Sequence, residues 1–264
     1  METLTKTICG LEIRVGIFGK QDSERTILFF NGIGARLEAA EKFADFLPEC
    51  RIVTFDVPGV GKSPAPKAPY RPVLLSKMAA ILLDKLGIDK VDVFGISWGG
   101  AIAQQFVKDH QDRCNTMTLA ATSAGMVMVP GKLSAMLKMV TPKRYFNPNY
   151  MLEVAPKIYG GTIGENIEQL EEFAKMVMGG STRGYLYQLL AGYGWTSWLW
   201  LPQIKVPTLI LMGNADRIVP PSNGRILNSR LPNSRLEYLD CGHLFMMTKP
   251  QETTQLMRDF YAEH

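Results

Sequence analysis

Six short apolar runs, at 26–30, 51–55, 91–94, 116–120, 208–212 and 235–239, constrain this chain more than any other feature. Turn-forming residues bound them, and most are near-continuously apolar, not alternating. A strand that is apolar at every position must be covered on both faces. That is the condition of a parallel sheet with helices on either side. Helical periodicity fills the intervals at 37–47, 74–86, 101–109 and 253–261, and Gly87 stands as a C-cap after the second of these. The alternation predicts an α/β protein with a mostly parallel, doubly wound sheet. Residues 11–15 and their neighbours are placed to add an antiparallel edge.

The rhythm breaks between residues 123 and 202. This stretch is rich in Met, aromatic residues and Gly and has helical character without a strand. It far exceeds the ~15 residues beyond which a structureless loop is uncommon. It reads as an inserted helical cap, 123–202, on a core formed by 1–122 and 203–264.

One motif carries chemistry. Gly95-Ile96-Ser97-Trp98-Gly99 fits G-x-S-x-G, directly after the run 91–94 and directly before a helical pattern. That strand–turn–helix setting gives the motif its meaning. A serine on a sharp turn at the end of a sheet strand is exposed, and the flanking glycines remove bulk where strand and helix meet. Ser97 is the candidate nucleophile.

A serine needs a base, and the chain has three histidines. His264 is the last residue, and His110 ends the pattern 101–109 among charged residues. His243 follows the last strand in Asp240-Cys241-Gly242-His243, at the strand end where α/β sheets build their sites. The orienting acid is expected between serine and histidine in sequence. Asp216, in Gly213-Asn214-Ala215-Asp216 after the run 208–212, is preferred over Asp240, which reads as a turn cap. Cys241 stands two residues from His243, and a packing role is preferred there over a reactive thiol. Oxyanion donors are expected from two backbone amides, Trp98 N–H after the nucleophile and Ile33 N–H in Asn31-Gly32-Ile33-Gly34. Gly32 and Trp195 are the candidate substrate-binding residues.

Composition excludes other classes. Net charge is +4 with no block of Lys or Arg, so no nucleic-acid surface is indicated. No run approaches the ~18 apolar residues of a membrane-spanning helix, and the N-terminus has no secretory pattern. Four scattered cysteines without a CxxC pair read as reduced thiols of a cytoplasmic protein. No metal-ligand cluster is visible, and no cofactor is expected. The run Asp56-Val57-Pro58-Gly59-Val60-Gly61-Lys62-Ser63 lacks phosphate-loop spacing and reads as a structural turn.

These segments together resemble the intracellular medium-chain-length poly(3-hydroxyalkanoate) depolymerases, an α/β-hydrolase family. The likeness runs from about residue 27 onward. It rests on Asn-Gly-Ile-Gly-Ala at 31–35, Phe-Asp-Val-Pro-Gly-Val-Gly at 55–61, Ser-Trp-Gly-Gly-Ala at 97–101 and Asp-Cys-Gly-His-Leu-Phe at 240–245. Within the cap it rests on Met128-Val129-Pro130-Gly131-Lys132, Ile158-Tyr159-Gly160-Gly161 and Gly194-Trp195-Thr196-Ser197. The resemblance implies an α/β-hydrolase fold, a triad at Ser97, Asp216 and His243, and hydrolysis of stored polyester on granules in the cytoplasm. A general carboxylesterase or lipase, a 3-hydroxyacyl transferase and a non-enzymatic binding scaffold remain the alternatives.

Overall fold

The computed structural model describes residues 2–141, 143, 147–177 and 181–264. Its eight strands are β1 (Glu2–Ile8), β2 (Leu11–Gly19), β3 (Thr26–Phe30), β4 (Arg51–Phe55), β5 (Val91–Ile96), β6 (Cys114–Ala120), β7 (Thr208–Gly213) and β8 (Ser234–Leu239). They form one sheet in the order β1-β2-β4-β3-β5-β6-β7-β8. β1 and β2 pair antiparallel, as does β2 with β4, and every later pairing is parallel. The antiparallel edge expected around residues 11–15 is therefore present as a hairpin.

Around the sheet lie α1 (Glu38–Ala44), α2 (Pro72–Lys85), α3 (Trp98–Asp109), α8 (Ser222–Arg230), α9 (Phe245–Thr248) and α10 (Pro250–Ala262). Successive side chains on a strand point to opposite faces. Leu28 and Phe30 of β3 enter one core with Leu75, Met78, Ile102 and Phe106 of α2 and α3. Ile27 and Phe29 enter the other with Ala40 and Phe43 of α1 and Met257 and Phe260 of α10. This two-sided burial is what the apolar runs required, and β3 and β7 are buried at every position. β8 departs from the expectation: it is an edge strand, half-buried over most of its length, so polar Ser, Arg and Glu alternate into it.

Local signals set the helix ends. Arg71 is extended and Pro72 occupies the first turn of α2, where its missing N–H costs nothing. The helix closes as Ile88 N–H donates to Leu83 O and Gly87 N–H to Asp84 O, with Gly87 at φ +64°. That paired closure needs a left-handed residue and explains the glycine.

Between β6 and β7 the chain forms α4 (Leu133–Val140), α5 (Pro148–Tyr159), α6 (Ile167–Val177) and α7 (Thr182–Gly192). The inserted helical cap is thus four helices among the described residues. Positions 142, 144–146 and 178–180 of the expected span lie outside them. Two isolated bridges, Ala124 with Val127 and Gly125 with Thr196, close the base of the insertion.

Candidate active site

Four chain segments leave the C-terminal ends of neighbouring parallel strands and converge, the position at which open α/β sheets place ligands. The turn after β5 carries Ser97 at φ 55° and ψ −120°. This is a sparsely populated conformation for a residue with a side chain, of the kind that persists only where packing over-determines it. The packing is visible in the glycines. A Cβ on Gly99 would sit 2.1 Å from Phe30 O, and one on Gly95 would sit 2.6 Å from Ala103 Cβ. Strand β3, strand β5 and helix α3 meet there backbone to backbone. Thr122 Oγ donates to Ser97 O at 2.7 Å, and Ser97 N–H donates to Ala120 O at 2.8 Å, pinning the turn from β6.

His243 and Asp216 come from the loops after β8 and β7. His243 Nδ1 lies 2.6 Å from Asp216 Oδ2, and both side chains are almost wholly buried. The other carboxylate oxygen, Oδ1, accepts Ile218 N–H at 2.8 Å and Val219 N–H at 2.9 Å. The imidazole is thus oriented through Nδ1, with Nε2 turned away from Asp216. Asp240 is exposed, and the structure pairs His243 with Asp216 instead. His110 packs on Phe106 and His264 on Phe260, both away from this cluster.

The histidine loop rests on the cap. His243 N–H donates to Tyr159 O at 2.9 Å, and the Tyr159 ring stacks on the imidazole with centroids 5.9 Å apart. A Cβ on Gly242 would meet Gly160 O at 2.3 Å, and one on Gly161 would meet Gly242 N at 2.1 Å. The Tyr159-Gly160-Gly161 segment is therefore a seat for the loop that carries His243. Cys241 is buried, and burial pushes its thiol up to about 12. At neutral pH it is a protonated packing residue.

Ser97 and His243 line one cavity of about 420 Å³, together with Asn31, Gly32 and Ile33 of the loop after β3. Its buried walls are apolar: Phe29, Phe43, Tyr159, Phe173, Met176 and Met246. Exposed Lys42 of α1, Asp45 at its C-cap and Gln251 of α10 also line it. Trp98 begins α3, where no earlier helical turn offers its N–H an acceptor. Gly32 faces the nucleophile closely: a Cβ there would lie 3.7 Å from Ser97 Cβ.

Trp195, a candidate substrate-binding residue, lies at the base of the cap. It is not among the residues lining the cavity. Its indole N–H donates to Gln105 Oε1 at 3.0 Å and its ring meets Trp200 edge-on. A large aromatic with one polar atom was satisfied as packing at the base of the cap, not as a substrate wall. Conversely, Tyr159 and Met139 line the cavity without having been singled out as site residues. Among the described residues no group of His, Cys, Asp or Glu is arranged to hold a metal ion.

Fold and site define the class. The sequence matches the family described as alpha/beta hydrolase fold over residues 25–156 and 177–250. The chain belongs to the α/β-hydrolase family. It is 45% identical, over 90% of its length and 84% of the relative's, to the poly(3-hydroxyalkanoate) depolymerase of Ectopseudomonas oleovorans, as the sequence motifs had suggested. It is also 25% identical, over 94% of its length and 92% of the relative's, to 3-oxoadipate enol-lactonase 2 of Acinetobacter baylyi. The crystal structure of the enol-lactonase from Burkholderia xenovorans shares the fold, with a TM-score of 0.86 at 23% identity over 98% of this chain and all of that one (100%).

Proposed function

We propose that this protein hydrolyses the ester bonds of a medium-chain-length poly(3-hydroxyalkanoate) or its oligomers through an acyl-enzyme on Ser97. The observation that carries the substrate reading is the 45% identity, across most of both chains, to a protein named for that activity. The apolar walls of the cavity behind Ser97 suit an alkyl-substituted ester.

In the reading offered here, Ser97 Oγ attacks the ester carbonyl and His243 Nε2 takes its proton. Asp216 holds the ring through Nδ1 and stabilises the imidazolium. The tetrahedral oxyanion is held by the backbone N–H groups of Trp98 and Ile33. Collapse expels the hydroxyl end of the neighbouring unit, which receives the proton from His243. Water then attacks the acyl-enzyme, again giving its proton to His243, and the hydroxy acid leaves with Ser97 restored.

We divide the chain into a hydrolase core, 1–122 and 203–264, and a cap, 123–202. No helix among the described residues is long and apolar enough to cross a membrane. We place the protein in the cytoplasm, with contact to an apolar storage granule through exposed cap residues. Leu133 and Leu137, one helical turn apart on α4, are both largely exposed, as is Met126 before them.

The test is turnover of a medium-chain polyester suspension beside p-nitrophenyl esters of graded length. Release of 3-hydroxy acids by the wild type, abolished in Ser97→Ala, is the expected result. Activity on short esters with none on polyester rejects the substrate and keeps the hydrolase. Transfer of the acyl group to an added thiol in preference to water rejects hydrolysis. Unchanged granule sedimentation of Leu133→Ser/Leu137→Ser rejects the granule surface.

A further inference from the structure

Both proposed oxyanion arms are tied to one residue of the cap, one through its side chain and the other through its backbone carbonyl. Gln188, on α7, is 1% exposed. Its Oε1 accepts Gly34 N–H at 3.0 Å, on the residue next to Ile33. Its own carbonyl accepts the indole N–H of Trp98 at 3.0 Å. Its Nε2 donates back to Gly184 O at 3.4 Å. The loop after β3 and the first residue of α3 belong to different strands of the core. Gln188 contacts both, from a position ninety residues beyond Trp98 in the chain.

α7 is itself fixed to the core, which gives Gln188 a rigid base. Ser181 caps the helix by accepting Gly184 N–H at 2.8 Å, and Ser181 N–H donates to Gly59 O at 3.3 Å. A Cβ on Gly184 would lie 2.0 Å from Gly59 O, so helix and turn touch backbone to backbone. At the other end Arg71 donates to the carbonyls of Leu190 and Tyr193. A helix held at both ends presents Gln188 from its middle.

We propose that Gln188 is a positioning residue for the oxyanion hole: it sets the separation and aim of the Ile33 and Trp98 amides from the cap side. The proposal rests on the reading of those amides as the oxyanion donors. Its physical content is differential. An oxyanion donor acts on charge that develops in the transition state and contributes little to binding the neutral ester. Loss of Gln188 therefore lowers kcat and leaves KM nearly unchanged.

The experiment uses the full chain and a soluble p-nitrophenyl ester. Ser97→Ala is assayed first; loss of turnover there supports the nucleophile reading independently of Gln188. Gln188→Met removes the side-chain acceptor of Gly34 N–H at similar volume and keeps the backbone carbonyl that accepts from Trp98. Gln188→Asn keeps an amide but withdraws it by one methylene. In each variant that melts well above the assay temperature, kcat falls about 10- to 100-fold, short of the ~10²–10³ for losing a donor outright. KM stays within about twofold, and the Kd of an alkyl trifluoromethyl ketone, which binds as an oxyanion, rises by the factor that kcat loses. Unchanged kcat and ketone affinity in the folded variants, or a change confined to KM, overturns the proposal while the serine reading stands. Retained turnover in Ser97→Ala overturns the reading beneath it.

Discussion

Ser97 holds a backbone conformation, φ 55°, that a glycine adopts freely and a serine does not. Removing the hydroxyl and removing the strain are therefore separable. Ser97→Ala and Ser97→Gly both abolish turnover, yet Ser97→Gly melts higher than Ser97→Ala, by the equivalent of about 1 kcal/mol. Equal melting temperatures would show that the turn is not strained. At Asp216 the issue is tautomer. Asp216→Asn can offer an N–H where His243 needs an acceptor, and kcat falls about 10³- to 10⁴-fold, while Asp240→Asn is unchanged. Stopped assays of the two variants decide between the carboxylates. A third residue-scale outcome concerns Cys241. With its thiol pushed up to about 12, it stays unmodified when native protein meets iodoacetamide at pH 8, whereas exposed Cys9 reacts. Peptide mapping of the alkylated protein reads this directly. Much of this scale was legible in the sequence. Histidine was scarce, and serine, acid and base each followed an apolar run. Gln188 was not legible, because a glutamine inside a helical pattern reads as a surface residue until the fold shows it buried. The placement of Trp195 was not legible either: abundance of aromatics in a cap does not say which of them face the cavity.

At the scale of elements, glycines divide into two kinds that the sequence cannot tell apart. Gly87 is needed for its φ of +64° and has open space around it. Gly184 sits inside a helix, and its Cβ would strike Gly59 O. Gly87→Ala therefore costs about 1 kcal/mol of backbone strain, visible as a small drop in melting temperature with full activity. Gly184→Ala forces α7 off the turn at Gly59 and costs about 2–4 kcal/mol, a fall on the order of 10 °C for a chain of this size. A Gly184→Ala protein as stable as the Gly87→Ala one would mean the helix can shift without loss. The strands were legible where they are buried on both faces, as in β3 and β7. β8 was legible less for its composition than for its position after β7, since an edge strand may carry charge on its open side without cost. The turn 56–63 reads as merely structural in sequence. In the fold Asp56 accepts Leu37 N–H at 2.8 Å and Lys62 N–H at 3.2 Å, joining the start of α1 to the seat of α7.

The whole molecule is a cavity closed between a core and a cap, and its two margins are held differently. On one margin the base of the cap is bound into α3: Ser197 Oγ donates to Gln104 Oε1 at 2.6 Å and Gln104 Nε2 donates to Ser123 O at 3.0 Å. Met126 N–H donates to Trp195 O and Ser197 N–H to Ala124 O, so the two connecting segments are also paired with each other. These bonds are buried or partly buried. On the other margin α1 meets α6 through Lys42 and Glu172, 2.8 Å apart and largely exposed, and through Arg36, which donates to Lys175 O and Met176 O. Exposed ion pairs contribute about 0–1 kcal/mol and weaken with salt. A bulky ester of the proposed kind would reach Ser97 past this second margin, because Lys42 and Glu172 also line the cavity. Separation of cap from core is therefore expected between α1 and α6, with the base as the fixed side. Replacing Arg36 and Lys42 by Met removes the side-chain bonds of this margin, leaving Arg36 N–H on Met176 O, without touching the base. Amide exchange should then rise about tenfold or more in α6 and stay unchanged at 124–126 and 195–197. In the same protein kcat/KM for long-chain esters should hold or increase, while acetate esters, small enough to enter the closed form, are turned over as before. Faster exchange at the base, or a selective loss of long-chain turnover, would place the opening elsewhere and make α1 and α6 a binding wall instead of a gate.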